Sequence, residues 1–437
     1  MDIQIGLYLL ALFGIMIAMG VPIAIAIATS SVAIMLSVMP YKVVAITAGQ
    51  KLATGIDSFS LLAVPFFVLA GNIMNQGGIA QRLVRFAYLF VGRVPGALCH
   101  VNVLSNMMFG SVSGSAVAAA AAVGKTLLPE VKEAKIDLPT ATAINIASCP
   151  TGMLIPPSNG LIVYSVVSGG TSIGALFLGG YIPGILMGLA CMLVGYIFFK
   201  LNPSLAGNTV KYNYTLKEMI SITWQAIPSL SLIFVVIGSI IAGICTATEA
   251  ACMAVLYSLI LSIIYKSIDL NSLKNISKDT VLICGVVLFL IGASTVMSYI
   301  MAYAHLPQLI SSILLGITSN EIAILLIINL LLLVVGMFMD MTPAILIFTP
   351  IFLPVATTLG IDPVRFGIIM TFNLCIGLVT PPVGTALFVG CSVSGCKIEE
   401  VIKPLLPLIF AEIIVLMLVT YVPTLSLAIP SYFGFIN

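Results

Sequence analysis

An all-α, polytopic membrane protein is the fold class this 437-residue sequence predicts, on three observations. Only 7% of the residues are charged while 60% are hydrophobic, and mean hydropathy is +1.22; soluble domains carry about 25% charge to cover their surface. Charge-free stretches are long enough to cross a bilayer, which takes roughly 20 apolar residues: neither 3–41 nor 138–199 contains Asp, Glu, Lys, Arg or His. The chain also repeats itself at a spacing of 225 residues, as duplicated membrane folds do. A water-soluble globule is excluded, and membrane lipid is the expected surrounding. A net charge of +2 with no run of like charges offers no phosphate-tracking surface, so nucleic acid is not a partner.

The N-terminal run MDIQIGLYLLALFGIMIAMG has no basic leader and no small-residue cleavage site, so it reads as a retained first span and not as a signal peptide. Residues 3–39 divide at Gly20-Val21-Pro22 into a tight pair of spans. Lys42, Lys51 and Asp57 follow, and two cations against one acid leave the side of the N-terminus open. Residues 59–75 form the next apolar stretch, closed by Asn-Gln-Gly-Gly at 75–78. Arg82, Arg85 and Arg93 then mark a cytoplasmic loop by the positive-inside tendency, as do Lys200, Lys211 and Lys217 and, later, Lys266, Lys274 and Lys278. The 62 residues of 138–199 hold two or three spans, and 221–243 with 247–265 form a hairpin between two basic loops. Nine cysteines (99, 149, 191, 245, 252, 284, 375, 391, 396) lie mostly in apolar stretches without CxxC or CxxxH spacing, so disulfides and zinc are not expected.

The repeat is anchored by Gly-x-x-x-Pro-Pro: Gly152 with Pro156-Pro157 recurs as Gly377 with Pro381-Pro382. Gly110 in FGSVSGSAVA precedes the first copy as Gly336 in VGMFMDMTPA precedes the second, and Ser158-Asn159-Gly160 or Val383-Gly384-Thr385 then leads into an apolar run. A Pro-Pro pair removes two backbone donors and turns the preceding residue away from α, so a helix entering Ile155 or Thr380 should stop there. Inside a bilayer the freed carbonyls need protein or a wet cavity around them. Carbonyls of Thr151, Gly152, Gly377 and Leu378 can face a cation. The N–H groups opening the next half-helix, where Ser158, Asn159 and Thr385 stand as caps, can face an anion. One such break is an ordinary proline kink; two at matching places point to a transporter's binding site. Whether the halves are parallel or inverted depends on the number of spans between them, which the sequence leaves open.

Gly110-Ser-Val-Ser-Gly-Ser115 sets three hydroxyls and two glycines in apolar surroundings, and Asp340-Met-Thr342-Pro343 holds the matching place. Two readings stand, a hairpin tip or close packing through small residues. Asp340 suits ion handling as an intramembrane carboxylate, or a helix cap before Met-Thr-Pro. Thr246-Ala-Thr-Glu249 has capping-box spacing and reads as structural. His100 and His305 stand singly near segment ends, which suits interfaces and not metal ligation. No Ser-His-Asp, HExxH, Walker A or Gly-rich nucleotide motif occurs. An ATP-driven pump is not expected, nor an intramembrane enzyme, for which Asp340 and Glu249 are the internal acids and lie 91 residues apart.

These motifs resemble those of the large membrane subunit of TRAP transporters, the tripartite ATP-independent periplasmic importers. The resemblance runs through SFSLLAVPFFVLAGNIMNQGGIAQRL (58–83), VNVLSNMMFGSVSGSAVAAAAAVG (101–124), TGMLIPPSNGLIVYSVVSGG (151–170), TATEAA (246–251), GMFMDMTPAILIFTPIFLP (336–354) and NLCIGLVTPPVGTALFVG (373–390). It implies two inverted repeats, each with a broken helix and a helical hairpin, in an elevator-type transport domain beside a scaffold. It further implies a multi-pass protein of the bacterial inner membrane, with Na⁺ as coupling ion, no other cofactor and no transition metal. The implied partners are a small four-helix membrane subunit, a soluble periplasmic binding protein and a small organic carboxylate substrate. Many relatives carry an acid after SGSAVA where this chain has Ala119, which removes a carboxylate from that place. PPSN (156–159) and IDSFSLLAVPFF (56–67) resemble sialic-acid members more than C4-dicarboxylate members.

The implied division is 1–58 for N-terminal scaffold spans, 59–200 for repeat 1, 201–280 for a linker and scaffold hairpin, 281–402 for repeat 2 and 403–437 for a C-terminal span. Each broken repeat is expected to supply one sodium site, mostly through backbone carbonyls, with substrate between them. Sodium ligands are expected among Ser105, Gly110, Ser113, Thr151, Gly152, Ser298, Gly336, Asp340, Asn373, Gly377 and Thr380. Substrate contacts are expected among Ser115, Pro156, Pro157, Ser158, Asn159, Pro381, Pro382 and Thr385. The competing functions are a stand-alone sodium–dicarboxylate symporter of duplicated architecture, which would work without a binding protein, and a passive channel, which would not saturate.

Overall fold

The computed structural model describes residues 2–76, 78–92, 96–205, 214–318 and 320–436; Gly77, Arg93 and Lys211, used in the loop assignments above, lie outside them. Helices are the only regular elements among the described residues, and eight are long and apolar enough to cross a membrane. α1 (Asp2–Ala18) and α2 (Ile23–Val38) pack as a pair, turned by Gly20 at a φ of +78° that a side chain would resist. α3 (Tyr41–Ile56) continues through a 3-10 turn at Phe59–Leu62 into α4 (Ala63–Gln76). α5 (Ile79–Val91) buries Ile79, Leu83, Val84 and Ala87 on one face. Its Arg82 stacks over the Tyr265 ring at 3.2 Å from the centroid, which brings two of the basic loops, at Arg82 and Lys266, to one end of the molecule.

α6 (Ala97–Ser113) and α7 (Ala116–Glu133) form a hairpin. α8 (Leu138–Ser148), the single turn α9 (Thr151–Leu154) and α10 (Asn159–Val167) make one interrupted helix, followed by the long α11 (Ile173–Leu201). α12 (Leu216–Ile241) and α13 (Ala247–Ile264) are the expected hairpin, each opened by a capping box, Thr215 with Glu218 and Thr246 with Glu249. Then come α14 (Leu270–Tyr303), α15 (Leu306–Ile317), the hairpin α16 (Glu321–Phe338) and α17 (Met341–Thr358), the interrupted helix α18 (Pro363–Gly377) and α19 (Thr385–Ser394), α20 (Ile398–Tyr421) and α21 (Thr424–Tyr432).

The duplication covers whole elements. Helices α6, α7, α8, α10 and α11 begin 224, 225, 225, 226 and 225 residues before α16, α17, α18, α19 and α20. Both interrupted helices are opened by an aspartate cap with proline in the first turn: Asp137 accepts from the Thr140 N–H at 3.0 Å, and Asp362 from the Val364 N–H at 2.7 Å. Between the starts of α8 and α18 the chain crosses along α8–α10, α11, α12, α13 and α14. α15, with 12 residues and about 18 Å of length, is too short to cross, and the α16–α17 hairpin returns to its own side. Five crossings is an odd number, so the halves are inverted. They also interlock: α7 packs on α19 as α17 packs on α10, and α8 packs on α20 as α18 packs on α11. Neither half can bury its broken helix without the other.

Three of the expected boundaries fall inside helices, the first of them between residue 200 and Leu201, the last residue of α11. Residue 281 lies within α14, which is opened by Asp269 accepting from the Ser272 N–H at 2.8 Å, and residue 403 lies within α20. The first repeat also reaches back before residue 59, because α3 and α4 together lie antiparallel along α14 as its counterpart. Lys51 meets Tyr299, Gly55 lies against Thr295, and Asn72 donates to Thr280 Oγ1 at 3.0 Å.

Candidate transport site

The two broken helices are the most deeply buried elements: every residue of α8 from Thr140 and of α18 from Val364 is buried. In the first half the helix ends as the Pro-Pro pair demands, with Ile155 extended and the Ser158 hydroxyl accepting from the Leu161 N–H at 3.5 Å to open α10. In the second half it ends three residues earlier than expected, at Gly377. Leu378, Val379 and Thr380 form tight turns, with Val379 donating to Ile376 O and Thr380 to Gly377 O, both at 3.1 Å. Three of the four carbonyls expected to face a cation are thus already engaged once: Thr151 O by Ile155 N–H, Gly377 O by Thr380 N–H and Leu378 O by Ala386 N–H. Each keeps one lone pair. Gly384, which opens α19, has φ +41°, and a Cβ there would lie 3.0 Å from Thr380 O.

Each hairpin is welded to its broken helix by a glycine pair. A Cβ on Gly152 would lie 2.1 Å from Gly110 Cα, and one on Gly377 would lie 2.5 Å from Gly336 Cα. The backbones touch, which places each hairpin tip beside a helix break and decides for the tip reading; the same contacts show close packing behind it. Gly114, at φ +62°, makes the first tip, and Ser115 caps α7 by accepting from Ala118 N–H at 3.3 Å. At the second tip Asp340 holds the equivalent position. Its carboxylate faces the N–H groups of Met341 and Thr342 without closing a capping hydrogen bond.

Asparagines tie these parts together: Asn373, expected from the sequence as a sodium ligand, and Asn102, Asn106, Asn145 and Asn329, which the sequence reading passed over. Asn106 donates to Asn102 Oδ1 and Ser148 Oγ at 2.8 Å and to Asn145 Oδ1 at 3.1 Å, and Asn145 donates to Ala120 O at 2.9 Å. In the second half Asn373 donates to Asn329 Oδ1 at 2.8 Å, and Asn329 to Thr420 Oγ1 at 3.1 Å. Buried oxygens are left without partners in both halves: Ser105 Oγ and Asn106 Oδ1 in the first, Thr371 Oγ1 and Asn373 Oδ1 in the second. Such atoms are rare in proteins and call for a ligand or ion.

Both tips and the start of α10 open onto one cavity of about 400 Å³, walled on the far side by α4 and α14. Its polar lining is Asn72, Ser113, Ser115, Asn159, Asp340 and Thr342. Ser113, Ser115, Asn159 and Asp340 are therefore brought together as expected. Behind them lie the glycine pairs with Ser105, Thr151, Asn373 and Thr380, all buried, as are Pro156, Pro157 and Ser158. Pro381 and Pro382 do not line this cavity, Thr385 stays behind its lining with its hydroxyl beside the Asp340 carboxylate, and Ser298 lies in a separate cavity. Glu249 is spent on its capping box. Contrary to the expectation, Asp340 and Glu249 are not the only internal acids: Glu412 of α20 is fully buried, accepting from Cys191 Sγ at 3.4 Å. All nine cysteines are free.

Two inverted, interlocked halves around one cavity, each contributing a hairpin tip beside a broken helix, define a membrane permease. Residues 10–425 match the family described as "Tripartite ATP-independent periplasmic transporter, DctM component", and the chain belongs to that family: it is a large permease subunit, not an enzyme, and a multi-pass inner-membrane protein. It is 51% identical to the YgiK protein of Salmonella typhimurium over 99% of this chain and all of that one. It is 40% identical to the sialic acid TRAP transporter large permease SiaM of Vibrio cholerae, over 88% of this chain and 90% of that one. It is 39% identical to the isethionate TRAP transporter permease DctMQ of Oleidesulfovibrio alaskensis, over 97% of this chain and 65% of that one. Among solved structures the YdaH transporter of Alcanivorax borkumensis shares the fold, with a TM-score of 0.54 at 12% identity over 84% of this chain and 86% of that one.

Proposed function

We propose that this subunit imports a small organic carboxylate together with sodium, by an elevator movement of the hairpins and broken helices along the α4–α14 wall. A small membrane subunit and a periplasmic binding protein, which the family implies, are its partners, and Na⁺ is its only inorganic cargo. The observation that carries the sodium reading is that each half keeps a set of unpartnered buried oxygens, Ser105 with Asn106 on the hairpin helix α6 and Thr371 with Asn373 on the broken helix α18. One sodium site per repeat suits the energetics. For a monoanion, each Na⁺ falling through ~100 mV and a tenfold gradient releases about 3.7 kcal/mol, while the anion costs about 2.3 kcal/mol. One ion then supports about tenfold accumulation, and two support several thousandfold.

Relatives named for sialic acid and for isethionate both match over most of this chain, so the anionic group is the shared feature. Sialic acid is the substrate of choice, on the Pro156-Pro157-Ser158-Asn159 segment, whose Asn159 reaches the cavity. The test is uptake of labelled sialic acid into proteoliposomes holding this chain and its small membrane partner, with and without a sodium gradient and the binding protein. Uptake that needs all three supports the reading. Uptake without the binding protein moves it to a stand-alone symporter, and uptake of dicarboxylates alone overturns the substrate.

A further inference from the structure

A second cavity, of about 420 Å³, lies on the side of the central one remote from the basic N-terminal turns of α14. On each of three shared walls it begins about one helical turn beyond the first: Val166 after Val163 on α10, Ile291 after Val287 on α14, and Leu346 after Thr342 on α17. A turn is about 5.4 Å, so the two cavities lie end to end along one groove. Their chemistry differs. The central cavity holds the Asp340 carboxylate; the second has no charged side chain in its lining and five hydroxyls, those of Thr54, Ser58, Ser294, Thr295 and Ser298. Ser294 is only 3% exposed and its hydroxyl oxygen has no hydrogen-bond partner. The Thr295 hydroxyl, which donates to Ile291 O at 3.0 Å, lies where residue 55 must be glycine, since a Cβ there would come within 2.3 Å of it. One turn from Gly55 on α3, the Lys51 ammonium sits 5.4 Å over the ring of Tyr299, the neighbour of Ser298.

Resting on the transport reading above, we propose that this second cavity is a subsite for the hydroxyl-bearing part of a polyhydroxylated carboxylate, occupied before the central cavity, with Lys51 drawing in the anion. Hydroxyls both donate and accept, so five of them around an uncharged space satisfy a polyol without the charge cost that a second carboxylate would meet. A site built to hydrogen-bond hydroxyls also rejects analogues that lack them far more strongly than an apolar pocket rejects a missing methylene.

The experiment is a binding cycle on the purified membrane subunits, using sialic acid and its analogue with the glycerol side chain removed, for wild type, S294A/S298A and the hydroxyl-keeping S294T. The expected result is at least tenfold weaker binding of full sialic acid by S294A/S298A, little change for the truncated acid, and recovery in S294T, with an unchanged thermal unfolding midpoint. Equal losses for both acids, or no loss, overturn the subsite. So does a raised half-saturating sodium concentration at unchanged sialic-acid affinity, which assigns the hydroxyls to a cation. Sodium-driven, binding-protein-dependent uptake of some other acid by a chain that binds neither probe overturns the subsite alone. Uptake of any acid that ignores sodium and the binding protein overturns the transport reading instead.

Discussion

Asn106 spends its amide N–H groups on its own helix and on α8, Asn373 spends its on α16, and each keeps an unpartnered carbonyl oxygen. An aspartate has no N–H to give, and leucine offers neither function. Asn373→Leu is therefore expected to raise the half-saturating sodium concentration at least tenfold and to lower the Hill coefficient for sodium toward one, read by uptake at varied Na⁺. Thr380 is more subtle, because its hydroxyl already donates to Ile376 O at 2.6 Å and only its remaining lone pairs can face an ion. Thr380→Val is expected to weaken sodium dependence; an unchanged sodium titration and Hill coefficient would show that Thr380 is not a ligand. Arg365 shows how burial decides magnitude. Its side chain is 10% exposed, donates to Thr420 O at 2.7 Å and meets Glu321 at 3.4 Å, whereas Glu321 is 46% exposed. Arg365→Ala, which leaves buried acceptors open, is expected to cost about 3 kcal/mol or more. Glu321→Gln is expected to cost under about 1 kcal/mol, both read as shifts in thermal unfolding of the purified subunit.

At the scale of elements, the sequence was most informative where local chemistry suffices. The capping box at Thr246, the turn at Gly20-Val21-Pro22 and the break at Pro156 all follow from backbone sterics and local hydrogen bonds, and the structure has each of them. It was least informative where a partner element decides. Gly384 N–H reaches Met337 O at 3.5 Å and Ala386 N–H reaches Leu378 O, contacts that fold residues 378–384 into turns and end α18 before Thr380. The aspartate-and-proline openings at Asp137 and Asp362 are a repeat signal that was legible and passed over. The glycine pairs give the sharpest test. Gly152→Ala or Gly377→Ala puts a methyl into the facing backbone, which cannot rotate away, so either is expected to cost at least 1–3 kcal/mol and to abolish uptake. Gly14→Ala, with nothing within 4 Å of the added carbon, is expected to change neither. Thermal unfolding and uptake of the three variants check this.

At the scale of the whole molecule, each broken helix is completed by the other half: α17 covers α10, and α19 covers α7. Separately expressed halves are therefore expected to be inactive apart and to regain uptake when co-expressed, which reconstitution would show. The sequence by itself determined the class: apolar composition forces helices in lipid because backbone groups there must bond within their own segment, and a 225-residue repeat of Gly-x-x-x-Pro-Pro marks the duplication. Only the tertiary structure decided which residues meet. Ser115 and Asp340 stand 225 residues apart and line one cavity, Pro381 and Pro382 carry the strongest motif yet stay outside it, and Ser298 belongs to its neighbour. The reason is that inversion and interlocking are set by five crossings and by backbone contacts between halves, and no local pattern in a single chain encodes a distance between them.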